Sequence, residues 1–145
     1  MGELPAFITD VPEESLSKSE ITRKPTRIQV KKRLTKTTVG LSEIFTVPKG
    51  YFLELLYWSF SCINTDPSTF NVFDFEAATG GDRFIFKEVI LDHKEHYAES
   101  IALQTPFILE SGDVLFLNIG GAPAGTHLRV TFYGNLISIQ DRDLI

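Results

Sequence analysis

The feature that most constrains this chain is a period of two. From about residue 26 onward, apolar and polar side chains alternate in short runs, and each run ends in residues able to turn the backbone sharply. Successive side chains of a strand point to opposite faces, so this alternation marks sheets with one buried face. Eight runs are legible: 26–34, 37–47, 51–63, 69–77, 83–91, 97–109, 113–119 and 127–139. The punctuation between them is specific. Val47-Pro48-Lys49-Gly50 reads as a tight turn with Pro48 presetting φ at its second position. Thr79-Gly80-Gly81-Asp82 reads as a hairpin turn whose glycines can take positive φ. Glu110-Ser111-Gly112-Asp113 joins two further runs, and 64–68 and 120–125 read as loops. After residue 40 no stretch shows a sustained 3.6-residue apolar period. The segment 12–20 is compatible with a short helix opened by Pro12, but it has no broad apolar face.

Within the runs, some inner faces are clear and others are contested. Leu115, Leu117 and Ile119 make a clean face, whereas Phe70 and Val72 compete with Phe73 and Phe75. Leu128, Val130 and Phe132 share a face that is expected to flip near Gly134, a candidate bulge or sheet bend. Tyr51–Ile63 is nearly continuous in leucine and aromatics, the pattern of a central strand covered on both faces or of an interface strand.

The chain has 145 residues, 43% of them hydrophobic, which suits one domain burying about two-thirds of its unfolded surface. Twelve Phe, four Tyr and one Trp supply large rings for a sheet-on-sheet interior about 10 Å thick. The expected fold is all-β: an antiparallel two-sheet jelly-roll-like sandwich of about eight strands with an extended N-terminal arm. Another Greek-key sandwich or a small barrel is the alternative. No apolar run approaches the roughly 20 residues that span a bilayer. The acidic start, with Pro5 and Pro12, is the reverse of a secretory leader, so synthesis in a cytoplasm is expected.

Charge divides the chain more sharply than hydropathy does. Residues 1–20 carry five acids and one lysine, −4; residues 21–40 carry seven bases and no acid, +7; the remainder carries six bases and fourteen acids, −8. The sequence therefore divides into a charged arm, 1–40, part of which can be the first strand, and a sandwich, 41–145. The seven bases are Arg23, Lys24, Arg27, Lys31, Lys32, Arg33 and Lys36. In one reading they line a lysine-rich edge strand, since Ile28 and Val30 alternate with Arg27, Gln29 and Lys31. In the other they form an arm docking on an acidic surface of a partner or a neighbouring subunit. Nucleic acid is disfavoured, because the body is acidic and the stretch lacks interleaved aromatics.

No catalytic constellation can be read. Cys62, the single cysteine, excludes an internal disulfide and reads as a small core residue rather than a reactive thiol. His93 and His96 have the wrong parity to share a strand face, and His127 does not complete a metal set. There is no G-x-S-x-G elbow, and neither Gly-rich loop opens into a helix that would cradle phosphate. The expectation is a non-enzymatic protein without cofactor or metal, whose surplus aromatics serve contacts with other proteins.

Three blocks carry a family resemblance: 43–64, which contains Val47-Pro48-Lys49-Gly50; 105–121, which contains the L-x-x-G-D turn at Leu109–Asp113; and 127–139, with its Tyr133-Gly134-Asn135-Leu136 pattern. Over about residues 40–140 the chain resembles small jelly-roll structural proteins of tailed-bacteriophage virions. The resemblance implies a capsid decoration (cement) protein, or a head, neck or tail accessory. It further implies a homo-oligomer, commonly a trimer, bound to the major capsid protein or another virion protein, with no nucleic-acid or membrane partner. Its location would be the virion, assembled in the host cytoplasm. The matching motifs are structural turns, so no catalytic residue is carried over, and residues 1–40 match in length and charge only. One rival is a host-recognition, carbohydrate-binding jelly roll with Tyr97 or Tyr133 beside acids in a shallow site. Another is a metal-dependent enzyme centred on His93, His96 and His127. A cytokine-like trimer fits less well without a leader or disulfide.

Overall fold

A computed structural model of the protein describes residues 25–65, 70–92, 94–121 and 126–145. The described residues form eight strands: β1 (Arg27–Lys36), β2 (Gly40–Thr46), β3 (Tyr51–Ile63), β4 (Asn71–Thr79), β5 (Asp82–Leu91), β6 (His96–Leu109), β7 (Val114–Gly120) and β8 (His127–Ser138). A short 3-10 helix, Ile139–Leu144, follows β8. The strands form two antiparallel sheets of four, ordered β1-β8-β3-β6 and β2-β7-β4-β5. The pairs β1–β8, β2–β7, β3–β6 and β4–β5 are nested, first strand with last and so inward. A nested antiparallel ribbon rolled into two layers is the jelly roll, and its eight strands fall within two residues of the runs read from alternation, except that β2 begins three residues later, at Gly40.

The tertiary structure settles the contested faces. Directly opposed residues share a face, and Phe73, Phe75 and Ala77 stand opposite Ile119, Leu117 and Leu115 in the core. From the facing sheet, Leu128, Val130 and Phe132 meet Cys62, Phe60 and Trp58. Trp58 packs edge-on to Phe75 at 5.9 Å and Phe45 to Phe132 at 5.6 Å, so the rings join the two layers. The face does not flip at Gly134. Leu136 stays inward opposite Leu53, and Ile137 is outward, buried with Phe52 at the end of the strand that the 3-10 helix follows. Arg142 of that helix lies 4.6 Å over the Phe52 ring. The double covering expected for Tyr51–Ile63 is therefore confined to its start, and beyond it Ser59 and Ser61 face outward.

Two local readings are corrected in position. The irregularity near Gly134 lies in the partner strand: β3 shifts register between Leu55 and Tyr57, and Gly134 stands opposite Leu55. A Cβ built on Gly134 would lie 2.2 Å from the Glu54 carbonyl oxygen, so glycine is required there by close backbone approach. The turn before β3 spans Pro48–Tyr51, with the Tyr51 amide donating to the Pro48 carbonyl at 3.2 Å and Gly50 at φ 87° in third position. Pro48 thus opens the turn instead of occupying its second position. Gly134→Ala is expected to destabilise the fold by about 3 kcal/mol, measured by urea unfolding, because backbone must move on both strands. A cost below about 1 kcal/mol would show that the sheet relaxes freely there.

Candidate functional site

The basic stretch lies mostly in β1, an edge strand held along its whole length by β8. Alternation sorts its side chains. Arg27, Lys31 and Arg33 stand opposite the outward residues Ile137, Tyr133 and Thr131, whereas Lys32 and Lys36 stand opposite the core residues Phe132 and Leu128. Lys36 is 7% exposed, and its ammonium donates to Ser42 Oγ at 2.6 Å and Thr38 Oγ1 at 3.2 Å, closing the rim between the sheets. Burial pushes its pKa below the ordinary lysine value. Arg23 and Lys24 lie outside the described residues.

Cross-strand neighbours extend the three outward bases into a face. Arg33 donates to Thr131 Oγ1 and Arg129 to Thr35 Oγ1, which lays both guanidiniums along the sheet. Further across the same rows come Ser59 with Ser100, Ser61 with Ala98, and Tyr57 with Ala102. Tyr57 meets Tyr133 edge-on at 6.1 Å, and the two line a shallow groove with Gln29 and Lys31. Among the described strand residues facing this side, the only acid is Glu54, which accepts from Arg27 and Asn135 at 3.3 Å each. Four bases against one acid leave this face at +3 before the exposed His96 and His127 are counted. Arg129 is the member that sequence reading missed. Its parity in the alternation of β8 was visible, but its place beside Thr35 was not.

The outward face of the other sheet has the opposite chemistry. Its rows run Leu41, Asn118, Asp74, Glu88 and Glu43, Phe116, Glu76, Ile85. Glu43 and Glu88 are exposed, and Glu76 is bound by Arg83. Asp74 is 5% exposed and accepts from Asn118 Nδ2 at 3.0 Å; burial, then the neighbouring Glu88 carboxylate, hold its pKa above the ordinary value. Exposed Leu41, Ile85 and Ile90 stand among these acids.

The remaining candidates are placed as follows. Cys62 is buried and its thiol is pushed up to about 12 by burial, so it is a core residue and not a nucleophile. His96 and His127 flank Ile63 on opposite neighbouring strands, about 10 Å apart by strand spacing. His93 lies outside the described residues, and among those described no cluster of three His, Cys, Asp or Glu is placed to hold a metal. Tyr97 turns inward against Phe60 and donates to Glu99, while Tyr133 neighbours Lys31 rather than an acid. Of the two, Tyr97 has its acid but faces the sandwich interior, and Tyr133 lies on the outward face.

No family model matches the sequence, and no curated protein matches it. Among solved structures, the chain is similar to one from the acidic stable capsid of Helicobacter pylori bacteriophage KHP30: 11% identity, TM-score 0.48, covering 79% of this chain and 98% of that one. It is also similar to PirA (15%, 0.40, 71% and 92%) and to murine APRIL (12%, 0.39, 72% and 99%). At these levels the likenesses assign no role.

The folded-state pKa of Asp74 lies above its unfolded value, so its contribution to stability is present below the ordinary carboxyl range and lost as pH rises through the folded value. Asp74→Asn, which mimics the protonated form, is expected to raise the melting temperature at pH 7. The gain should shrink toward zero as pH falls below the ordinary aspartate value of about 3.9, where the carboxyl is protonated in the folded and unfolded states alike. Equal gains at neutral and at low pH would refute the assignment.

Proposed function

We propose that this chain is a virion structural protein without enzymatic activity, a decoration or cement subunit of a tailed-bacteriophage capsid. In this reading the jelly roll is the rigid body, the segment ahead of β1 attaches it to the major capsid protein, and the sandwich faces contact other subunits in an oligomer, a trimer by the family resemblance. The observation that carries the reading is the jelly-roll order of the two four-stranded sheets that the described residues form within 27–138. The residues before Arg27, among them Arg23 and Lys24, lie outside the described ones and take the attachment role in this reading on their charge alone. The turns shared with phage jelly rolls, at Pro48–Tyr51 and Glu110–Asp113, support it further.

The test is a pair of truncations added to capsids that lack the protein. Removal of residues 1–24 is expected to leave the melting temperature within a few degrees of wild type and to abolish co-sedimentation with the particle. Removal of residues 1–36 takes away β1 and its ladder to β8, so it should unfold the sandwich. Undiminished particle binding by the shorter truncation would overturn the attachment role. Selective glycan binding without capsid binding would favour the host-recognition alternative.

A further inference from the structure

We propose that the two outward sheet faces are complementary halves of one contact between copies of this chain: the basic β1-β8-β3-β6 face of one subunit receives the acidic, apolar β2-β7-β4-β5 face of the next. This deepens the reading of the protein as an assembly component by naming a second copy as the partner of its basic face.

The two faces differ in charge and in relief. The basic face is flat where Ser59, Ser61, Ala98 and Ser100 meet, with Lys31, Arg33 and Arg129 along one side. The acidic face is knobbed: Ile90 is 61% exposed, Ile85 48% and Leu41 45%, with Glu43 and Glu88 beside them. Ile85 and Ile90 bracket Glu88 along one edge strand and Leu41 stands beside Glu43 on the other, so apolar and acidic side chains alternate across the face. Side chains that stand out from one sheet need a surface of short ones opposite, and this protein has such a surface on its other side with the matching sign of charge. A four-stranded face about 19 Å by 34 Å covers roughly 650 Å², close to the about 800 Å² per partner of a stable interface. An acidic partner also fits the surroundings better than a polyphosphate. The body as a whole is negative, and the guanidiniums are held flat by threonine hydroxyls, suited to lateral carboxylates. Because the contact joins unlike faces, a pair of subunits still has one face of each kind free, so association closes into a ring or continues as a stack according to the rotation between subunits.

Sedimentation velocity on the full chain tests this. Wild type is expected to associate with rising concentration at low salt and to dissociate at high salt. Arg33→Glu/Arg129→Glu disables the basic face, and Ile85→Asn/Ile90→Asn the knobbed one. Each double variant alone should weaken association at least tenfold. Mixed in equal amounts, they should form a dimer and nothing larger, because one intact face of each kind remains. Wild type that stays monomeric at all concentrations overturns the proposal, as does association retained by both variants or a mixture that polymerises like wild type. Thermal melts establish that each variant is folded; if one is not, the salt dependence of wild type decides. Capsid binding by the same samples is read separately. Loss of self-association with particle binding intact refers to the faces, and the converse to the N-terminal segment.

Discussion

The pairing of β1 with β8 is the contact on which the surface chemistry of this protein depends. It joins residues about a hundred positions apart, Arg27 with Ile137 through Lys36 with Leu128. Such a ladder requires closure of nearly the whole chain, so it forms only as part of a folded sandwich. Once made, it turns a linear run of bases into a two-sided element. One side adds Arg27, Lys31 and Arg33 to a sheet face, and the other lends Val30 and Leu34 to the core. An unpaired arm of the same sequence would present every charge in every direction.

The same logic closes the open rims of the sandwich. An edge strand with inward-facing charge resists pairing with a foreign strand, and both rims use this device. Lys36 crosses to Ser42 between β1 and β2, and Lys87 meets Glu99 at 2.8 Å between β5 and β6. The Lys87 hydrogen bond holds the Glu99 carboxyl below its ordinary pKa. Further along the second rim Phe84, Phe86 and Phe107 pack within 5.0 Å of one another, which places part of the aromatic surplus at an edge. With the strand edges protected in this way, pairing with a foreign strand is disfavoured at both rims.

The sequence by itself determined the fold class, the number of strands and most of their limits, because a period of two and the Gly and Pro turns are local properties of neighbouring residues. It also determined that the charges are zoned and that Cys62 belongs in a strand. It could not decide which strands are neighbours, and everything about the surface followed from that. Whether Lys32 and Arg33 point the same way is answered by parity. That Arg33 lies against Thr131, that Arg129 joins the same face, and that Tyr57 meets Tyr133 depend on register between strands remote in sequence. The site of the irregularity near Gly134 was displaced for the same reason: a glycine can mark a bulge in its own strand or in the strand it touches, and only the Glu54 carbonyl above it distinguishes the two. The alternation along each strand comes from backbone geometry and is written in the chain. The grouping of outward residues into a basic face and an acidic one comes from the nested pairing, which only the tertiary structure decides.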